Sequence, residues 1–336
     1  MRIVVLGGTV FLSRAVAEAA LAAGDSVTCV SRGVSGEPPR GATAVKVDRS
    51  EPGALAAALG GQEFDAVVDV ATMSAPWVRD ALDALAGRAG HWTFVSSINA
   101  YADLSLRGGT VGQATLPPLH GAPDPAVQFT DPEVYGSVKV GSEDAVRDRA
   151  GDRALIVRGG LMCGHGDLLD RFGYWANRIS RGGRAVVPDV PGHPMQLVDV
   201  RDLAAWIVRC ARAGTIGTYD GTGPRSTLAR VLEEITDAVG APGLDLVRVP
   251  VETLYSEDVG IWYGPRSLPL WLPETHWGMA DRDVTDTLDA GLTVRPVAET
   301  ARAALEWERR LGLDRERKAG LTEAEERAVL RAHTTG

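Results

Sequence analysis

The sequence predicts an α/β protein: a doubly wound parallel sheet with a smaller C-terminal lobe. Three observations predict it. Short apolar, β-branched runs alternate with Ala-rich helical stretches through the first half of the chain, which is the pattern of successive βαβ units. The first run ends on Gly7-Gly8, immediately before a helical stretch. A length of 336 residues suits one large unit or two coupled lobes.

The elements follow in order. Arg2 to Leu6 (RIVVL) reads as a buried strand meeting a turn. Phe11 to Ala23 has helical spacing and is stopped by Gly24. Strands are predicted at Ser26 to Val30, Thr43 to Val47, Phe64 to Val70 and Trp92 to Ser96, with helices at Glu51 to Leu59 and Trp77 to Leu85 between them. Ala102 to Asp131 is Gly- and Pro-rich and reads as a long loop beside the site. A helix over Val134 to Arg149 and a strand over Ala154 to Val157 extend this Rossmann arrangement. Beyond Arg158 the pattern is less regular. Gln196 to Val200 and Asp202 to Ala213 read as a strand and helix returning to the central sheet. The expected division is 1–158 plus about 196–225 as the dinucleotide-binding domain. About 159–195 plus 226–313 then form the substrate-binding lobe, and 314–336 a charged tail that frays. The substrate cleft is expected between the lobes.

Composition excludes several classes of function. The chain is 45% hydrophobic and 24% charged, ordinary for a folded domain that needs no disulfide or structural metal. With Lys+Arg 35 against Asp+Glu 44, the net charge of -9 lacks the footprint of a nucleic-acid binder. Cys29, Cys163 and Cys210 form no paired spacing, and the six histidines form no metal-ligand spacing. No apolar run reaches the ~18–20 residues of a membrane span, and the N-terminus shows no signal-peptide pattern. The expectation is a cytoplasmic protein acting on a small molecule, without metal, membrane or nucleic-acid partner and with room for a homodimer.

The strand–helix turn GGTVFLS is the first candidate site. Small residues there let backbone amides approach a pyrophosphate at a helix N-terminus, although a tight turn of any α/β protein reads the same way. Val10 and Ser13 replace the second and third glycines of the usual spacing. The second strand ends Val30-Ser31-Arg32 without the Asp or Glu that bonds a ribose in NAD sites, and Arg32 suits a 2′-phosphate. Asp48 either accepts the adenine amine or caps the next helix. Gly7, Gly8, Thr9, Phe11, Leu12, Ser31, Arg32, Asp48 and Ala71, with Lys139, make the candidate cofactor set, with NADP preferred over NAD.

The second candidate site combines a strand exit and a helix start. Tyr135 and Lys139 form Y-x-x-x-K, whose i, i+4 spacing places both on one helix face. A neighbouring ammonium favours the phenolate form and so makes a phenol useful in acid–base work, while an amphipathic helix with a snorkelling Lys reads the same. Val95-Ser96-Ser97-Ile98-Asn99-Ala100-Tyr101 lies at the carboxyl end of a parallel strand, where ligands bind. A hydroxyl there can stabilise charge on a reacting oxygen.

With these motifs the chain resembles an extended short-chain dehydrogenase/reductase of the NAD-dependent epimerase/dehydratase type, from Met1 to about residue 310. GGTVFLS is similar to the GGTRFLG turn of an atypical, reductase-like branch. FDAVVDV, TFVSSINAYAD, ALIVRGGLMCG, DRFGYWANRISRGG and MQLVDVRDLAAWIV also resemble that branch. The resemblance implies a catalytic set of Ser97, Tyr135 and Lys139. It favours Ser97 over Ser96 because the family's Ser or Thr lies four residues before the strand-exit Tyr, here Tyr101. Sugar dehydratases of the superfamily carry Asp-Glu after that Ser or Thr, whereas Ile98-Asn99 follow here, which disfavours dehydration. Arg158-Gly159-Gly160 stands where Arg-Pro-Gly is usual.

The function expected is NAD(P)-dependent hydride transfer at a hydroxyl/keto carbon of a sugar-like or secondary-metabolite substrate, with Tyr135 as acid/base. The alternatives are a nucleotide-sugar-type epimerase with tightly held NAD, and a non-catalytic dinucleotide-sensing or RNA-binding relative. Arg171, Arg225 and Arg266 are the arginines that could grip a substrate phosphate, or else are structural.

Overall fold

A computed structural model describes residues 1–70, 74–124, 126–127 and 131–335. The chain forms two compact units: Met1–Leu161, Val200–Gly223 and Arg282–Thr293 make the first, and Met162–Asp199, Pro224–Asp281 and Val294–Gly336 the second. No helix among the described residues is long and apolar enough to cross a membrane.

The first unit is built on seven strands. Six of them are β1 (Arg2–Leu6), β2 (Ser26–Ser31), β3 (Thr43–Lys46), β4 (Phe64–Asp69), β5 (Ala89–Ser97) and β6 (Ala154–Gly159). β-Branched, apolar runs suit strands buried on both faces, and Ile3 to Leu6 are at most 1% exposed. Helices α1 (Phe11–Ala22), α2 (Ala54–Leu59), α3 (Ala75–Leu85) and α4 (Pro132–Ala150) connect or flank them. One face of the sheet, with Val4, Leu6, Val67, Trp92, Phe94 and Ile156, packs with Val78, Leu82 and Leu85 of α3 and with Val146 of α4.

The seventh strand was not the one expected. Short strands β7 (Leu161–Cys163), β8 (Arg184–Pro188), β9 (Pro194–Met195) and β10 (Leu197–Asp199) precede β11 (Gly217–Gly221). The sheet order is β11-β6-β5-β4-β1-β2-β3, so β11 occupies the edge beside β6, and β10 pairs with β7 in a separate two-stranded sheet. The predicted return of Gln196 to Val200 to the central sheet is therefore corrected. Asp199 bonds the Thr300 hydroxyl at 2.8 Å and faces Arg295 at 3.7 Å, partners that belong to the second unit. The helix Val200–Ala213 does belong to the first unit and lies against α1, where Arg212 bonds Asp25 at 2.6 Å and the Ala23 carbonyl at 2.8 Å.

Two further expectations are revised in the second unit. The irregular stretch after Arg158 contains the helix Arg171–Ile179 and strand β8, which pairs in parallel with Asp245–Val249. The charged tail does not fray: Glu323–Thr335 is a helix. Its Glu326 is buried, bonding Arg178 at 2.7 Å and the Val186 amide at 3.0 Å. Arg315 and Arg317 both reach the buried Glu308, Arg317 at 2.7 Å. Charges opposed by buried partners order a segment that composition alone makes look solvated.

Candidate active site

The cofactor end is shaped by the β1–α1 turn. Gly7 and Gly8 have φ of 131° and 93°, a region that L side chains rarely enter. The Gly7 amide bonds the Val30 carbonyl at 2.8 Å, tying the turn to β2. A Cβ at Gly8 would lie 2.6 Å from the Cys29 Cβ, so only glycine fits there. Val10, the N-cap of α1, provides no side-chain cap, and the first turn holds no acid. The helix N-terminus thus keeps the amides and partial positive charge that favour an anion. Ser13, which replaces a glycine, is accommodated because its hydroxyl bonds the Val10 carbonyl at 2.8 Å.

A cleft of ≈ 250 Å³ opens at this turn. Gly7, Thr9, Ser31, Arg32 and Asp48 line it, together with Gly33 to Ser35, Arg49 and Trp77. Gly8 stands behind the lining, Leu12 is core, Phe11 is half-buried at the head of α1, and Ala71 lies outside the described residues. Asp48 serves as a turn cap: its Oδ1 accepts from the Ser50 amide at 2.9 Å and hydroxyl at 2.7 Å. Those bonds, with a smaller contribution from the Arg32 charge, hold its carboxyl below the ordinary range. Arg49 was missed by the sequence reading. Its guanidinium forks onto the buried Asp69 at 2.7 and 2.9 Å and bonds the Trp77 carbonyl at 3.0 Å, which fixes one wall of the cleft. The signal was the Asp that closes the apolar run Ala66 to Val68.

At the other site β5 and α4 meet. Asp131 caps α4 by accepting from the Glu133 and Val134 amides at 2.9 and 3.2 Å, which sets Tyr135 in the first turn. Gly136 packs under the Asn99 carbonyl with no space for a Cβ. Lys139 is buried, and its Nζ donates to the Val95 carbonyl at 3.0 Å while lying 5.6 Å from the centre of the Tyr135 ring. Tyr135 itself is half-buried. Ser97 ends β5, accepts from the Asn99 amide at 3.2 Å and donates to Asn99 Oδ1 at 3.3 Å. Ser96 is differently engaged, donating to Glu143 at 2.5 Å. The β5 exit and the Tyr–Lys helix are thus brought together at one end of the sheet.

Behind them lies a buried polar network that the sequence reading did not foresee. Glu143 receives Arg158 through a fork, Nε at 3.0 Å and Nη2 at 2.8 Å. Burial works to raise its carboxyl, but the Arg158 bonds and charge outweigh it and hold it below the ordinary glutamate range. Arg158 stacks 4.7 Å from the Tyr101 ring centre, and Arg282 stacks 3.6 Å from it. The Tyr101 hydroxyl donates to Asp220 at 2.6 Å, and Asp220 also binds Arg282 at 3.0 Å. Burial and the Asp220 charge push the Tyr101 hydroxyl well above the ordinary phenol range, so it remains an O–H donor. Arg282 stands in the segment Arg282–Thr293 that rejoins the first unit, not in the substrate lobe to which sequence assigned it.

The chain is similar to known proteins in sequence and in fold. The chain is 28% identical over 263 residues to 2'-dehydrokanamycin reductase of Streptomyces kanamyceticus, covering 75% of this chain and 70% of the relative. Its fold is similar to that of a protein crystallised as a candidate epimerase from Burkholderia cenocepacia J2315, with TM-score 0.67, 22% identity, and 92% and 98% of the two chains covered. It is also similar to the Bordetella bronchiseptica enzyme WbmH in complex with NAD+, with TM-score 0.65, 15% identity, and 92% and 98% coverage. Residues 3–219 match the family model described as NAD dependent epimerase/dehydratase, a span that holds the Gly7-Gly8 turn, Ser97, Tyr135 and Lys139. The chain belongs to the NAD dependent epimerase/dehydratase family.

Proposed function

We propose that this enzyme transfers a hydride between a nicotinamide cofactor and a hydroxyl/keto carbon of a sugar-like or secondary-metabolite substrate. The observation that carries the reading is the placing of Lys139, which lies beside the Tyr135 ring and donates to the Val95 carbonyl, two residues before Ser97 at the end of β5. The cleft at the β1–α1 turn suits the pyrophosphate and adenosine end of a dinucleotide: amides at an uncapped helix N-terminus for the pyrophosphate, and Arg32 with Ser31 for the adenosine. When bound, the nicotinamide supplies or accepts the hydride. The Ser97 hydroxyl would leave Asn99 Oδ1 and donate to the reacting oxygen. Tyr135 would give that oxygen its proton in reduction and take it in oxidation. Lys139 places a positive charge beside the phenol as negative charge develops there.

Arg32 supports a preference for NADP(H). It is exposed on the cleft wall and joins no salt bridge among the described residues. Net reduction is favoured over nucleotide-sugar epimerisation by two observations. The relative named above is a reductase. In the second unit, two of the three arginines considered for a substrate phosphate have polar partners of their own: Arg225 pairs with Asp281 at 2.9 Å, and Arg266 bonds the Glu257 carbonyl at 2.7 and 3.0 Å.

The test begins with the nucleotide content of the purified protein. NADPH oxidation is then followed at saturating cofactor against keto-sugars and cyclohexanone. Exchangeable NADPH with net turnover is expected, and Tyr135→Phe is expected to lower that turnover by ~10²–10⁴-fold while cofactor binding persists. Tightly held NAD without net turnover would favour the epimerase. A Phe variant keeping more than about a tenth of the activity would reassign the acid.

A further inference from the structure

Tyr135, Lys139 and Glu143 are spaced four residues apart on α4, so they share a face. That face meets the end of β5 at successive residues. Lys139 Nζ donates to the Val95 carbonyl at 3.0 Å, and Ser96 Oγ donates to Glu143 at 2.5 Å. The next residue is Ser97. Glu143 and Ser96 are not reacting groups on this geometry, since they are bonded to each other and Arg158 and Arg147 take up the rest of the carboxylate.

We propose that Glu143, acting through Ser96, is a positioning residue of this site. It holds α4 in register along β5 and so sets Tyr135 against Ser97. The inference rests on the catalytic reading of Ser97, Tyr135 and Lys139 given above.

The physical case begins with what else could hold the register. Val146 of α4 packs into the core, but two of the closest backbone approaches of the helix are made at glycines. Gly136 approaches the Asn99 carbonyl and Gly141 the Leu119 carbonyl, each with no space for a Cβ. At these two positions close backbone approach leaves no side chain to interlock with its neighbour. The Glu143 carboxylate supplies directional contacts instead. Oε1 accepts from Ser96 and Arg158 Nε, and Oε2 from Arg158 Nη2 and Arg147, the last at 2.8 Å. A bidentate guanidinium–carboxylate pair fixes orientation as well as distance. A buried ion pair is a weak source of net stability compared with apolar packing. Its presence at the helix carrying Tyr135 is better explained by the geometry that it enforces.

The latch is itself anchored. Arg158 belongs to β6, and its Nη1 bonds the Val111 carbonyl at 3.2 Å. It stacks on Tyr101, which leads to Asp220 on β11 and to Arg282, whose Nη2 bonds the Thr110 carbonyl at 2.7 Å. Helix, strand exit and the 110–113 loop are therefore referred to one buried frame.

The experiment uses the full chain carrying Glu143→Gln or Ser96→Ala, with Tyr135→Phe in parallel. Gln keeps the shape and can still accept from Ser96, but loses the charge facing Arg158. NADPH stoichiometry and Kd come from titration. kcat and KM come from NADPH with the best ketone of the screen above, and hydrogen exchange is followed over residues 97–101. Misplacement of about 1 Å can cost ~10²-fold, so Glu143→Gln should lose up to that much kcat per NADPH site and Ser96→Ala less. NADPH Kd and ketone KM should hold, and amides 97–101 should exchange faster. A merely structural role would lower NADPH stoichiometry and leave kcat per site alone. If Glu143→Gln does not fold, Ser96→Ala decides by the same split. Wild-type kcat per site in the folded variants, with Tyr135→Phe inactive, overturns the positioning role and spares the catalytic reading. An active Tyr135→Phe overturns both.

Discussion

At the residue scale, neighbours in the chain can have unrelated tasks. Successive side chains of a strand point to opposite faces. Ser96 is therefore taken by Glu143 while the Ser97 hydroxyl, beside it, bonds only to Asn99 among the described residues. The family resemblance points to Ser97, and the hydrogen bonds leave Ser96 engaged by a buried carboxylate. Arg32 is the residue on which cofactor choice is expected to turn. A charged hydrogen bond contributes ~1.5–3 kcal/mol, so Arg32→Ala should weaken NADPH binding by about 10–100-fold and leave NADH nearly unchanged. Isothermal titration with both cofactors checks this. Tighter NADH binding that ignores the substitution would remove the NADP(H) preference.

At the element scale, α4 does the assembling. Its cap Asp131 fixes where the helix begins, and Gly136 fixes how closely it approaches the β5 exit. A Cβ at 136 would collide with backbone, which cannot swing aside as a side chain can. Gly136→Ala is expected to destabilise by ~1–3 kcal/mol, the usual range for overpacking, and to depress turnover of the molecules that still fold. Gly87→Ala is the control, since its Cβ would meet nothing within 4 Å, and should stay within about 0.5 kcal/mol of the parent. Urea unfolding of both variants, with turnover per bound NADPH, makes the comparison. Equal stability of the two would show that α4 can shift without cost.

At the scale of the whole molecule, each unit draws on three separate chain segments, so no single cut separates them. The second unit holds its C-terminal segment by charge. Arg315 binds Asp170 and reaches Glu308 at 3.0 Å, both acids being buried. Burial works to raise the Asp170 carboxyl, but Arg315 and the Lys318 amide overcome it and leave it below its ordinary value. A carboxyl depressed in the folded state contributes stability above its unfolded pKa and loses it as pH falls through the folded one. Arg315→Met should therefore cost about 3 kcal/mol near pH 7, at the lower end for breaking a buried pair. The difference from the parent should narrow below about pH 4, where an unfolded Asp titrates. Denaturant midpoints across pH measure this. A difference constant with pH would assign the loss to packing.

The βαβ alternation, the Gly7-Gly8 turn and the Y-x-x-x-K spacing were legible because each is local. Buried strands need continuous apolar runs, a turn at φ above 90° needs glycine, and an i, i+4 pair shares a helix face whatever surrounds it. Strand β11, GTYDG, escaped because an edge position needs no apolar run, and its pairing with β6 supplies the order that its composition lacks. The C-terminal helix escaped for the opposite reason. Its acids look solvated in sequence, and only Arg178 and the Val186 amide, 140 or more residues away, bury Glu326. The frame around Tyr101 joins residues 101, 143, 158, 220 and 282, and its bonds exist only once the strands are in register. Sequence by itself determined the strands and helices of the first 158 residues, together with the local turn and helix spacing that carry the candidate motifs. The tertiary structure decided which charges are buried together, because a buried charge is tolerable only where the fold delivers its partner.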